Sequence, residues 1–289
     1  MIQAAIHEYT KIGTQQKLDF SVDETLCSSC GRCIQDCPIG LIQGTLPHIE
    51  QPDLCTRCQH CMAICPTGAI SIEGRKPEDS PTFSEEDFPP LEQMIQLVRG
   101  RRSIRQYQDK NVEPALIKRL LNATFYAPTG VNARELTFTV IDQKLTLDRI
   151  REKVLAGLAR CAKDGRIPER LGYLGLGTAP EAFSGQGIDL IFRDAPHLIL
   201  VSAPFHAPGA LVDVVIALTT FELLATSAGL GAVWCGLLKI VLEIAPEMKP
   251  LLGLPVDGVD YYPMLFGYPA VHYARGVQRD GDATIKRLS

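Results

Sequence analysis

The sequence predicts a two-part chain: a small module organised by a cysteine repeat, then a larger domain of mixed helices and strands. Three observations predict it. Eight of the ten cysteines lie between Cys27 and Cys65. A stretch rich in proline and acid follows, from Lys76 to Pro90. Beyond it, helical and strand periods alternate towards the end of the chain. At 289 residues there is room for two domains, one of them small.

Composition narrows the class. Apolar residues at 46% and charged residues at 21% describe a globular chain, not a disordered one. A formal charge of −4 argues against nucleic acid or an anionic membrane as the main partner. The opening MIQAAIHEYTKIGTQQK has neither the basic leader nor the apolar core of a signal peptide. The most apolar stretch, Val214 to Leu238, is interrupted by Glu222, Gly229 and Gly231. It reads as a buried helix and a turn, not as a membrane span. The expected compartment is the cytoplasm, where thiols stay reduced.

The first module, residues 1–75, is defined by two identical cysteine spacings. Cys27, Cys30, Cys33, Cys37 and Pro38 form one C-x2-C-x2-C-x3-C-P run, and Cys55, Cys58, Cys61, Cys65 and Pro66 form the other. The similarity continues past the cysteines, where Pro38-Ile-Gly-Leu-Ile42 answers Pro66-Thr-Gly-Ala-Ile70. An internal repeat of this kind folds as two related halves. The short spacings let three thiolates of one loop reach three corners of a 4Fe-4S cubane. The fourth cysteine is carried away on the next turn to ligate the other cluster, as in bacterial two-cluster ferredoxins. Cluster one then takes Cys27, Cys30, Cys33 and Cys65, and cluster two takes Cys55, Cys58, Cys61 and Cys37. Zinc asks for four ligands in two pairs, and disulfides ask for an oxidising compartment. Neither explains the whole repeat. Cys161 and Cys235 read as small apolar residues.

Residues 76–90 carry four prolines and five acids with no sustained apolar period, the pattern of a stiffened linker. The second domain, 91–289, opens with a helix over 91–99, where Leu91, Met94, Ile95 and Val98 recur at helical spacing and Gly100 follows. Pro114 opens a second helix with Ile117, Leu120 and Leu121 inward. Leu136 to Ile141 reads as a strand. Leu147, Ile150, Val154 and Leu158 mark another helix. Leu198 to Ser202 is a strand, Ala210 to Ala228 a long buried helix, and Val259 to Phe266 a last strand. The stretch from Gly165 to Gly187 has six glycines and no clear period, so it reads as a long loop that is functional, often as a lid, or else mobile.

Three stretches of this domain carry chemistry. In Arg101-Arg102-Ser103-Ile104-Arg105, arginines and a hydroxyl can converge on one phosphate, or the run is a solvated basic surface. Ala127-Pro-Thr-Gly-Val-Asn-Ala-Arg134 is a turn-rich segment with a hydroxyl and an amide that can meet polar ring edges. In Gly229-Leu-Gly-Ala-Val-Trp-Cys-Gly236, glycine admits a flat ligand close to the backbone, or simply ends a helix.

In this order and separation the three resemble the motifs of the nitroreductase family of flavoproteins: its R-R/H-S-x-R start, its A-P-S/T-x-x-N-x-Q turn and its G-L-G-x-x-W-x-G flavin loop. Gly267-Tyr-Pro-Ala270 followed by Arg275 is similar to the family's closing segment. With the cysteine repeat in front, the chain resembles the ferredoxin-fused subgroup. Arg134 and Leu136 stand where the family often has glutamine and tryptophan.

The resemblance implies an α+β fold, a homodimer, and FMN at the interface. It implies that Arg101, Ser103 and Arg105 hold the FMN phosphate with Arg102 close by, and that Pro128, Thr129 and Asn132 lie along the ribityl chain and ring. Trp234, Cys235 and Gly236 then line the isoalloxazine, and Arg275 or Arg279 reaches the phosphate. The function it implies is electron transfer between two 4Fe-4S clusters and FMN to reduce a small organic substrate of nitro, quinone or enone type. The external donor is reduced ferredoxin or NAD(P)H. The rival expectation is an electron carrier or redox sensor whose second domain docks a partner without flavin. The six histidines (His7, His48, His60, His197, His206 and His272) show no pairing with a nucleophile and read as structural or exposed. No G-x-G-x-x-G follows a strand, so a Rossmann site is not expected.

Overall fold

The computed structural model describes residues 17–279, 281 and 283–288. The opening segment before Lys17, with His7, lies outside the described residues. The chain divides into two compact units. The first comprises Met1–Phe88 together with Pro128–Glu135 and His206–Gly209, and the second comprises the rest.

In the first unit, β1 (Phe20–Val22) pairs antiparallel with β4 (Ile70–Ile72). A second short pair joins β2 (Ile42–Gln43) to β3 (His48–Ile49). Each cysteine run contains one short helix turn that carries its third cysteine, α1 (Arg32–Asp36) and α2 (His60–Ala63). The repeat read in the sequence reappears in the backbone. Ser29 and Arg57, 28 residues apart, both have φ 52°, Gly31 and Gln59 follow at 72° and 64°, and Gly40 and Gly68 are both at 64°. These left-handed residues curl each loop inward around its cysteines. Ile42, Met62, Ile70 and Ile72 bury between the halves with Cys33 and Cys61.

The second unit is an α+β layer structure. Its sheet has four strands in the order β5-β6-β8-β7, with every neighbouring pair antiparallel. They are β5 (Thr137–Ile141), β6 (His197–Pro204), β7 (Gly231–Trp234) and β8 (Val259–Gly267). β6 is buried over seven of its eight residues, with Leu198–Val201 apolar, because both its faces are covered. On one face Leu198 and Leu200 join a core built with α5 (Lys144–Lys163), α6 (Ala179–Gln186) and α8 (Gly236–Ile244). On the other, Phe266 meets Phe221 of α7 (Ala210–Ser227) edge to face at 5.2 Å. Helix α7 is long and apolar enough to cross a membrane by length and composition alone. Here it lies along β6 and β8, with Phe221 fully buried. Cys161 and Cys235 are buried in the core, as small apolar residues are.

Two expectations change. The 165–187 stretch is not an unstructured loop: a 3-10 turn spans Glu169–Leu174, and α6 follows. Pro180 sits in the first turn of α6, Gly187 ends it at φ 68°, and Leu176 and Ala179 are buried. Gly175 and Gly187 are cap positions, and the glycines broke the apolar period without removing the helix. Helices α3 (Leu91–Gly100) and α4 (Pro114–Thr124) form where expected, but α3 buries none of its residues. Leu91 and Val98 are 73% and 56% exposed.

Candidate functional site

The eight cysteines of the repeat separate into two groups, each around its own cavity. One cavity, of about 410 Å³ including its open mouth, is lined by Cys27, Cys30, Cys33 and Cys65. The other, of about 370 Å³, is lined by Cys55, Cys58, Cys61 and Cys37. Each thus draws three cysteines from one run and the fourth from the other. Among the described residues, no group of three or more His, Cys, Asp or Glu is placed to hold a metal ion. Each group of four thiols lines one cavity, and a cluster with inorganic atoms of its own asks for ligands around a volume.

Backbone amides point at these sulfurs. Leu41 N donates to Cys37 Sγ at 3.4 Å and Ala69 N to Cys65 Sγ at 3.3 Å, equivalent bonds in the two halves. Arg57 N donates to Cys55 Sγ at 3.4 Å. Such donors stabilise a thiolate and the charge of what it binds. Burial pushes the Cys33, Cys55 and Cys61 thiols up, Cys61 to about 12, whereas the backbone N–H of Arg32 holds exposed Cys30 below its ordinary value. Iron bound to these three as thiolates would have to displace their protons. His60, exposed on the second loop, pairs with Asp36 at 3.4 Å.

In the second unit, the basic run 101–105 lies along β7. Ser103 bridges Ala232 in parallel, and Ile104 N donates to Ala232 O at 3.0 Å. Two of the three chemical stretches are thereby held side by side. Gly231 serves this approach, since a Cβ on it would stand 2.3 Å from Ile104 Cγ1. Gly229, at φ 75°, follows the end of α7. Sequence reasoning missed the residue that ties these parts together. Glu222, buried in α7, accepts from Arg101 Nη1 through one oxygen and from Trp234 Nε1 through the other, both at 3.1 Å. The signal was an acid in the middle of an apolar helix.

The remaining predicted residues divide. Arg102 donates to the carbonyls of Arg99 and Arg101, and its Nη2 lies 3.5 Å from where a Cβ of Gly276 would stand, beside Arg275. Arg105 is exposed. Trp234 stands edge-on to Tyr262 at 5.2 Å. The Cys235 thiol turns into the core and donates to Ile191 O at 3.3 Å, and burial pushes it up to about 12. The closing segment is zipped to residues 106–108, with Gln108 N on Tyr268 O and Ala270 N on Gln106 O. Pro128, Thr129 and Asn132 belong to the first unit, where Asn132 Nδ2 donates to Thr56 O at 2.9 Å. His197 is buried and structural, while His48, His60, His206 and His272 are exposed.

Comparison with known proteins finds a match for each of two stretches of the chain. Residues 98–268 match the nitroreductase family, and residues 26–70 match a 4Fe-4S dicluster domain. A protein of Methanothermobacter thermautotrophicus, provisionally named NADH dehydrogenase/NAD(P)H nitroreductase, is 28% identical over 181 residues, covering 61% of this chain and 78% of its own. The fold resembles a nitroreductase with bound FMN from Bacteroides fragilis, with TM-score 0.53 and 23% identity over 67% of this chain and 98% of that one. A second, from Desulfitobacterium hafniense and also with bound FMN, gives 0.52 and 22% over 68% and 100%. The chain is an oxidoreductase that belongs to the nitroreductase family and carries a 4Fe-4S dicluster domain ahead of the nitroreductase fold.

Proposed function

We propose that the protein holds two 4Fe-4S clusters and one FMN and reduces a small organic substrate of nitro, quinone or enone type. The observation that carries this reading is the pair of cysteine cavities, three plus one and one plus three, in a chain of a family whose solved relatives bind FMN. FMN supplies the exchange between one-electron clusters and a two-electron organic substrate.

The residues fit such a group. Arg102, Ser103 and Arg105 would hold the phosphate, with Arg275 joining from the tail beside Gly276. The ion pair of Arg101 with Glu222 keeps the segment in place, so Arg101 positions its neighbours more than it binds. Trp234 and Gly236 would line the ring, with Cys235 offering only its backbone, and Pro128 and Thr129 would lie along the ribityl chain. Reduced ferredoxin or NAD(P)H would be the external donor, and the cytoplasm the compartment.

We propose a homodimer on the apolar surface that one chain leaves open. Leu91 and Val98 of α3, and Leu211, Val212 and Val215 of α7, are exposed. A second copy would cover them.

The test is anaerobic purification followed by iron, sulfide and flavin analysis per chain. Two cubane clusters with one FMN are expected. Clusters without flavin, even after FMN is added, would replace this reading with an electron carrier or sensor.

A further inference from the structure

One peptide group in the second cysteine loop sits between two hydrogen bonds. Its N–H, that of Arg57, donates to Cys55 Sγ at 3.4 Å. Its carbonyl, that of Thr56, accepts from Asn132 Nδ2 at 2.9 Å. A peptide is a planar, conjugated unit. A donor on its oxygen polarises its N–H and strengthens the bond that N–H makes. Asn132 therefore acts on the Cys55 sulfur without touching it.

The segment that carries Asn132 is built to hold this position. A Cβ on Gly130 would stand 2.1 Å from Pro208 O, so glycine alone lets the segment lie against that carbonyl. Glu135 pairs with His206 at 2.9 Å, and Thr129 Oγ1 accepts from Arg134 N at 3.0 Å. Val131, Asn132 and Arg134 have φ of 46°, 58° and 54°. Non-glycine residues stay in that region only where their surroundings over-determine it, and asparagine is among the few that tolerate it.

We propose that Asn132 is a positioning residue for the second cluster, which it tunes through the Thr56–Arg57 peptide. The proposal rests on the two-cluster reading. One-electron reduction adds negative charge to a cluster, and donors to its sulfurs stabilise that charge. Asn132 thus raises the reduction potential of the cluster on Cys37, Cys55, Cys58 and Cys61. Its amide serves this loop alone, so the first cluster is an internal control. The effect biases an electron shared by the pair towards the second cluster.

The experiment is an anaerobic dithionite titration of the full chain, followed by electron paramagnetic resonance. Cys58→Ser, which alters only the second cluster's ligands, assigns the two signals. Asn132→Gly removes the amide at a position where glycine adopts positive φ without strain. It should lower the reduced-to-oxidised ratio of the second cluster about tenfold at fixed potential, equivalent to about 59 mV for a one-electron couple. The first cluster and the iron content should stay put. Asn132→Asp keeps the shape, offers only acceptors and adds charge, so it should lower the ratio further. A second-cluster potential unmoved in both variants, or equal shifts of both clusters, would overturn the proposal while the two-cluster reading stands. A wild-type protein without two cluster signals would remove that reading, and the proposal with it.

Discussion

Gly231 lies so close to Ile104 that a Cβ built on the glycine would stand 2.3 Å from Cγ1 and 2.7 Å from Cβ of the isoleucine. Ile104 is buried, and its backbone N–H is bonded to Ala232 O, so it has little room to retreat. Gly231→Ala should therefore overpack this contact and cost about 1–3 kcal/mol. In an Ile104→Ala background the clash loses its two Cγ atoms, and the same substitution should cost less. Urea unfolding of the four proteins of this cycle measures the difference. Additive costs would mean that the two side chains do not oppose each other.

Glu222 gives the second prediction. Its carboxylate is the shared acceptor for Arg101 and for Trp234, the only tryptophan of the chain. Glu222→Leu leaves a partly buried guanidinium and an indole N–H without that acceptor. The loss should be about 1.5–3 kcal/mol, towards the lower end because the Arg101 side chain is 32% exposed. Tryptophan fluorescence reports the site directly, and its emission should shift in the folded state. Unchanged emission and stability would show that the bonds are replaced by water at no cost.

The third prediction concerns acid. His197 is fully buried, accepts from Val112 N at 2.7 Å through Nε2, and packs on Phe266 at 5.1 Å. Burial lowers its pKa below the ordinary histidine value, although the Ile141 carbonyl and Asp142 oppose this. As pH falls below about 6.5, the unfolded chain takes up a proton that the folded one refuses. Its contribution is whole above that pH and is lost below it, by about 1.4 kcal/mol per pH unit until the folded ring titrates. His197→Gln keeps an acceptor for Val112 and should flatten this part of the acid limb. Parallel limbs for the two proteins in urea melts between pH 7 and pH 5 would refute it.

How much of this was legible in sequence depends on how local each signal is. The cysteine loops were legible because one repeat encodes both spacing and backbone, down to the paired φ values of Ser29 and Arg57. Helices α4, α5 and α7 and strands β5, β6 and β8 announced themselves by period. Helix α8 did not, because it is only nine residues long and just two residues, Lys239 and Glu243, mark its polar side. Strand β7 is four residues opened by a glycine whose purpose, contact with Ile104, lies 127 positions away in the chain. Asn132 was read as a ring-edge ligand. Its bond to Thr56 spans 76 residues, a pairing that no local pattern contains.

The fourth prediction tests the crossing of ligands between the two loops. Cys65 belongs in sequence to the second run but lines the cavity of the first, and Cys37 does the reverse. Cys65→Ala should therefore damage the first cluster and leave the second, while Cys37→Ala should do the opposite. Each variant should retain about half of the wild-type iron, with FMN content unchanged. Cluster signals assigned through Cys30→Ser and Cys58→Ser, within the first and second runs, decide which cubane is lost. If each alanine variant loses the cluster of its own run, the crossing is wrong, and each run of four cysteines closes on itself. The bonds from Leu41 N to Cys37 and from Ala69 N to Cys65 argue against that outcome. They anchor both fourth cysteines in the turns that follow their runs, on the side of the opposite cavity.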